Sequence, residues 1–260
     1  MEGQEPAVDD AMSARPTLPP GHDGPKEWAR RQAGRARHAW RGRGLSVAHY
    51  IHVGKTGGSA VKRALKPVAT AGTYRLDLHG HGFTLDDVKP GQKFLFGTRD
   101  PLTRFVSGFY SRRRGGAPPN SRAPWSPEEA VAFRGFETPN DLAERIDDDP
   151  AARAAMHAII HVQSPYSSWF GSFDHLHARR ADLLAILRQE HLDADFTAML
   201  PRLGLEGRAA LPTDDAGAHR GQKGVDRTLS PRAEANLRAW YAEDYDFLAR
   251  CDDLAAELWG

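Results

Sequence analysis

A chain of 260 residues with 40% hydrophobic and 27% charged residues can bury one substantial core, which excludes the disordered and fibrous classes. The formal net charge of +1 gives no general affinity for polyanions, although Arg30, Arg31, Arg35, Arg37, Arg41 and Arg43 crowd one stretch and Arg112, Arg113 and Arg114 another. A single cysteine, Cys251, excludes an intramolecular disulfide and suits a reducing compartment, and no apolar run approaches the roughly 18 residues that cross a bilayer.

In chain order, the first stretch, MEGQEPAVDDAMSARPTLPPGHDGPK, is acidic and then rich in Pro and Gly. It has no apolar centre of a secretory signal and reads as a disordered arm, so the expected location is cytoplasmic. Residues 27–43 are open to three readings: a basic helix, a disordered tail or a nucleic-acid arm. The expected division is an arm over 1–44 and one folded domain over 45–260. There VAHYIHV (47–53) reads as a buried strand, and SAVKRAL (59–65) starts a helix with Ala60, Val61, Ala64 and Leu65 on one face. TYRLDLHGHG (73–82) suggests a second strand and a turn, and KFLFGT (93–98) a third strand. PLTRFVSGFYSRR (101–113) follows as a helix whose Leu102, Phe105, Val106 and Phe109 face the core. Residues 112–126 are a Gly/Pro-rich loop. Beyond it, DPAARAAMHAIIHV (149–162), RRADLLAILRQEH (179–191), DADFTAMLPRLGL (193–205) and SPRAEANLRAWYAEDYDFLARC (230–251) read as helical. A long loop over 204–228 separates the last two, and connections of that length are often functional. The expected fold class is α/β, a P-loop-like three-layer fold with a central, mainly parallel sheet flanked by helices and a helical C-terminal half.

YIHVGKTGGSAVKRAL (50–65) carries the first chemical signal. A Walker A loop, G-x-x-x-x-G-K-[ST], would need a glycine where His49 stands, and Tyr50, Ile51, His52 and Val53 look like strand. The physics of anion capture nevertheless remains. The N–H groups of Thr56–Ser59 open a helix and point outward unpaired. Gly57 and Gly58 let an anion approach the backbone, Lys55 adds a full charge, and Thr56 and Ser59 carry hydroxyls. The bland alternative is a helix cap beside an exposed lysine.

FLFGTRDPLTRFVSGFY (94–110) carries the second. Asp100-Pro101 suits an N-cap followed by proline at the first helical position. Arg99 at the strand end and Ser107 two turns into the helix can converge on one anion, at the strand ends where α/β sheets bind ligands. The alternative here is an Arg99–Asp salt bridge and an inert serine.

Together, K-T-G-G-S after the first strand and R-D-P-x-x-R-x-x-S after a later one resemble the nucleotide sites of sulfotransferases that use 3′-phosphoadenosine-5′-phosphosulfate (PAPS). LHGHGFTLDDVKPGQKFLFGTRDPLTRFVSGFY (78–110) is similar to the core of the glycan sulfotransferases, particularly the uronyl and heparan sulfate 2-O-sulfotransferases, in which an H-x-H precedes R-D-P. HLDADFTAMLPRLGL and LSPRAEANLRAWYAEDYDFL look like that group's C-terminal helices, so the resemblance spans residues 48–250.

The resemblance implies that Lys55, Thr56, Gly57, Gly58 and Ser59 hold the 5′-phosphosulfate and that Arg99 and Ser107 hold the 3′-phosphate. It implies His81 as the base for an acceptor hydroxyl, with His79 orienting it or the substrate; histidine suits proton transfer near neutral pH. In-line sulfuryl transfer would then rest on positioning and charge, with Lys55 stabilising the leaving phosphate. Arg220 and Lys223 in the late loop are further phosphate contacts on this reading, and HVQSPY (161–166) resembles a substrate-side segment. The scheme requires no metal: His157 and His161 are spaced i, i+4, but HAIIH lacks the glutamate of H-E-x-x-H. The acceptor would be a glycan, glycolipid or small metabolite, with no nucleic-acid partner implied. Arg112–Arg114 would draw an acidic acceptor or belong to a solvated loop. The heavy use of Ala, Arg, Gly and Asp fits a GC-rich bacterial genome. Two other readings stand beside this one: a nucleotide kinase or NTPase of related architecture, and a non-catalytic protein that binds a nucleotide or a sulfated glycan.

Overall fold

Four short apolar runs build the sheet. In the computed structural model, which describes residues 25–114, 124–213 and 224–260, these are β1 (Ser46–Ile51), β2 (Tyr74–Leu78), β3 (Lys93–Thr98) and β4 (Leu183–Arg188), all parallel, in the order β2-β1-β3-β4. Strand alternation sends successive side chains to opposite faces. Ala48 and Tyr50 join Leu76, Leu95, Ala185 and Leu187 under α2 (Gly58–Leu65) and α9 (Leu192–Met199). Ile51, Phe94, Phe96 and Ile186 join the other layer, under α7 (Ser167–Phe170), α8 (Phe173–Ala178) and α11 (Ala242–Trp259). The result is α/β, with a parallel central sheet flanked by helices.

A third cluster is wholly helical. It joins α3 (Pro101–Arg113), α4 (Pro127–Gly135), α5 (Pro139–Glu144), α6 (Pro150–Ala158) and α10 (Pro231–Trp240), and Leu102, Phe105, Val106 and Phe109 all lie in it as their spacing requires. Each of these five helices has proline in its first turn and a Ser, Thr or Asp N-cap whose side chain accepts a backbone N–H.

Two expectations change. LLAIL in RRADLLAILRQEH is β4, not a helix: it pairs with β3 and is covered on both faces. A five-residue apolar run cannot be told from a buried helix by periodicity, and here strand pairing decides. The basic segment before the sheet is helical, as α1 (Pro25–Arg41). Among the described residues no helix is long and apolar enough to cross a membrane.

The connections place the site. From β1 the chain crosses to β2 on one side, then back past β1 to β3 on the other. That reversal opens a crevice at the C-terminal ends of β1 and β3, where such sheets bind ligands. Both motifs lie there.

Candidate functional site

After Ile51 the chain leaves the sheet through a tight turn into α2. Two of its residues, Lys55 (φ 68°) and Gly57 (φ 81°), take the left-handed conformation. For lysine this is a strained choice of the kind concentrated at binding sites. Thr56 is fully buried, and its Oγ1 donates to the Val53 carbonyl at 3.0 Å. Its hydroxyl therefore closes the turn and is spent on the backbone, contrary to the expected role as a ligand donor. Among the described residues the N–H groups of Gly57, Gly58 and Ser59 bond to no acceptor, and Ser59 is exposed. Packing also demands the glycines: a Cβ on Gly58 would lie 2.3 Å from His52 Cδ2, and one on Gly57 2.8 Å from Leu192 Cδ2. Gly97 in β3 does the same for the turn's other side, where a Cβ would meet Thr56 Oγ1 at 2.8 Å.

The strand end and α3 close over this turn. Asp100 caps α3 by accepting Thr103 N–H at 2.9 Å. Arg99 forms no salt bridge with it. Its Nε donates to Thr103 Oγ1 at 3.0 Å and its Nη1 to the Lys55 carbonyl at 3.2 Å, while Tyr166 Oη bonds both its N–H and its carbonyl. Thr103, Ser107, Tyr110 and Arg114 follow at helical spacing along the same outer side of α3. Tyr110 Oη donates to the Asp226 carbonyl, which brings the segment after residue 224 alongside.

On the inner side, Arg104 is buried and donates to the Gly54 carbonyl (3.1 Å), the Ser164 carbonyl and Asp244 (3.2 Å), with its guanidinium over the Tyr166 and Trp169 rings. It fixes the turn to α3. The expected role of Arg112–Arg114 shrinks accordingly. Arg112 is a buried partner of Glu129, Arg113 donates to the Phe133 and Phe136 carbonyls, and Arg114 alone of the three is exposed.

Positive charge accumulates where these parts meet. Burial, with Arg114, Arg99 and Arg227 nearby, pushes the Lys55 ammonium down to about 8. Burial likewise lowers Arg99; Glu190 opposes that and Arg227 adds to it. Glu190 also accepts the Asp100 N–H at 2.9 Å. Burial and several cations around one ammonium make this a candidate anion site. Sequence reasoning missed Arg227 and left Arg114 between an acceptor-side role and a solvated loop, because their approach to Lys55 is tertiary. Arg220 and Lys223 lie outside the described residues.

The histidines divide into two groups. His81 lies against the anion turn: its ring is 4.1 Å from that of His52 and 5.2 Å from that of His161, whose Nδ1 would sit 3.0 Å from a Cβ on Gly54. His81 Nδ1 is 3.0 Å from the His52 carbonyl, which can only accept. Nδ1 therefore carries the proton and Nε2 the lone pair. Burial lowers its proton affinity, leaving the ring neutral at pH 7. Trp169 Nε1 holds the turn by donating to the His81 carbonyl at 2.8 Å.

His79 faces elsewhere. It stacks on Phe83 and is 2.9 Å from His49 Nδ1, and His49 Nε2 is 2.9 Å from Gln92 Oε1. Since Gln92 Oε1 also accepts the Lys89 N–H, His49 donates from Nε2 and His79 donates to His49. Burial brings His79 down to about 4. The structure does not bring His79 to His81. The i, i+4 pairing of His157 and His161 fails too, because α6 ends at Ala158 and His161 has φ 75°. Lys55 and His161 are the non-glycine residues with positive φ among the described residues, and both border this site.

The chain matches no protein-family model and no curated protein.

Charge and backbone geometry mark the site. Two clefts of about 460 and 590 Å³ lie elsewhere, one against α11 around Phe247 and one between α4 and α6. What the arrangement can do chemically is hold two anionic groups, one on the turn and Lys55, one along Arg99, Ser107 and Arg114, beside a neutral imidazole with a free lone pair.

Proposed function

We propose that the protein is a PAPS-dependent sulfotransferase acting on a hydroxyl of a glycan, glycolipid or small metabolite. The observation that carries this reading is the meeting of two donor-bearing surfaces at one switch point: the strained turn around Lys55 and the outer side of α3. PAPS carries anionic groups at both ends of its ribose, and an ordinary nucleoside triphosphate carries them at one. This reading assigns the unpaired N–H groups of Gly57–Ser59 with Lys55 to the 5′ end, and Arg99 and Ser107 to the 3′-phosphate. Bound there, PAPS supplies a sulfuryl group on a phosphate leaving group, so transfer to a hydroxyl leaves the 3′,5′-bisphosphate PAP. The residues' own work is to hold and to move one proton. Lys55 offers charge where the leaving phosphate would lie, and His81 Nε2 offers a lone pair to an acceptor hydroxyl.

A thermal-shift titration with PAP against ATP plus magnesium tests the cofactor. At about 100 times its dissociation constant a ligand stabilises by roughly 2.7 kcal/mol, and PAP without metal should give that shift. Sulfuryl transfer from labelled PAPS to a panel of hydroxyl acceptors tests the activity. There His81→Ala should lower turnover by about 10²–10⁴-fold with PAP binding kept. A larger shift with ATP and magnesium would revive the kinase reading.

A further inference from the structure

Helix α1 is amphipathic with its apolar side turned outward. Ala29, Ala33, Ala36 and Trp40 are spaced i, i+4, i+7 and i+11 and form one stripe. All four are exposed, Trp40 to 73%. The helix is tethered from the other side: His38 Nε2 bonds Asp77 Oδ1 at 2.9 Å, and at about 100° per residue His38 lies nearly opposite Trp40. Folding thus leaves the stripe uncovered, and it turns a tryptophan that could have packed on the edge strand to the outside.

The charge around the stripe is one-signed. Arg30, Arg37 and Arg41 lie along one flank, Arg35 beyond the other, and Arg43 in the turn that follows; all are exposed and none is in an ion pair among the described residues. From Trp28 to Leu76 the chain has no acidic residue, against eleven Lys and Arg. Arginines flanking an exposed tryptophan stripe match a surface that is anionic at its face and apolar just beneath. A second copy of α1 would instead bring arginines against arginines. A nucleic acid would match the charge and leave the stripe without a role.

The placement is also oriented. His38 meets Asp77, while a Cβ on Gly42 would lie 2.5 Å from Arg75 Cδ. The two helix positions are about 6 Å apart along α1 and the two strand positions about 6.5 Å apart along β2, in opposite order. Helix α1 therefore runs antiparallel to edge strand β2, and its N-terminal turns extend past the C-terminal end of the sheet, the end that carries Lys55 and His81.

We propose that α1 is an interfacial helix that seats this protein on an anionic lipid surface, with Trp40 in the headgroup layer and the arginines on lipid phosphates. Co-sedimentation of the full chain with vesicles of phosphatidylcholine alone, or with 30% phosphatidylglycerol, tests it. Binding to the anionic vesicles alone is expected. Each arginine near such a surface is worth about fivefold, so Arg37→Gln with Arg41→Gln should weaken binding by about 25-fold. Trp40→Ala should weaken it several-fold with the charge unchanged, a loss that pure charge attraction would not show. No binding to anionic vesicles, equal binding to neutral ones, or wild-type binding by Trp40→Ala overturns the proposal. So does a short RNA or DNA that binds more tightly than the vesicles and displaces them, which would make α1 a nucleic-acid arm. These substitutions lie outside the candidate site, so PAP binding and thermal melting report separately on the functional reading and on the fold.

Discussion

The two sides of α3 treat positive charge in opposite ways. On the inner side Arg104 and Arg112 are buried and matched by Asp244 and Glu129, and Arg104 also by carbonyls of Gly54 and Ser164. On the outer side burial, with Arg114, Arg99 and Arg227 nearby, lowers the proton affinity of Lys55. The fold neutralises the first set itself, because an unpaired buried charge is prohibitive. Among the described residues Lys55, Arg99 and Arg114 are in no salt bridge, and they lie at the rim of the crevice, where the proposed ligand would complete them. One helix thus carries both an anchor and a site, and the partner's origin tells them apart.

Breaking the anchor should have the largest effect. Arg104→Ala strands Asp244, whose carboxyl burial already pushes up, and should cost about 3–5 kcal/mol of unfolding free energy in a urea titration. Wild-type stability in that variant would dissolve the contrast. Lys55→Gly should do the reverse. Glycine accepts the left-handed turn, so stability should stay within about 1 kcal/mol, while PAP binding by calorimetry weakens by roughly 10- to 100-fold.

A finer test separates the two anion surfaces. Arg99→Gln should compress the preference for PAP over adenosine 5′-monophosphate by about tenfold, since the 3′-phosphate is all that distinguishes them there. An unchanged preference would move that phosphate elsewhere. The gentlest probe is pH. Lys55 titrates near 8 in the free protein, and a bound anion favours its charged form. PAP affinity should therefore fall as pH rises above about 8, by at most about tenfold per unit. The same depression means the unfolded chain binds the Lys55 proton more strongly, so this group's contribution to stability rises between pH 8 and its ordinary value.

Local pattern made much of this legible. The start of Pro101–Arg113 was readable to the residue because Asp100-Pro101 caps it, and its core face because its apolar positions repeat with helical period. K-T-G-G-S and R-D-P were readable as candidate anion sites at strand ends, because glycines and helix starts are local facts, and the fold brings both to the C-terminal ends of β1 and β3. β4 was not readable, since LLAIL satisfies helix and strand alike until β3 is beside it. Nor was the split between His79 and His81: two residues apart on a turn, one meets His49 and Phe83, the other His52 and His161.

The sequence by itself determined the alternation of strand and helix, the two motifs and their order, because hydrophobic period, caps and glycine positions act over a few residues. Tertiary structure decided which cations are neutralised and which converge. Arg104 and Arg99 lie in one motif five residues apart, yet one reaches Asp244, 140 residues on, and the other leans over Lys55. That outcome depends on burial and on distances between segments far apart in the chain, and neither quantity exists until the sheet has closed.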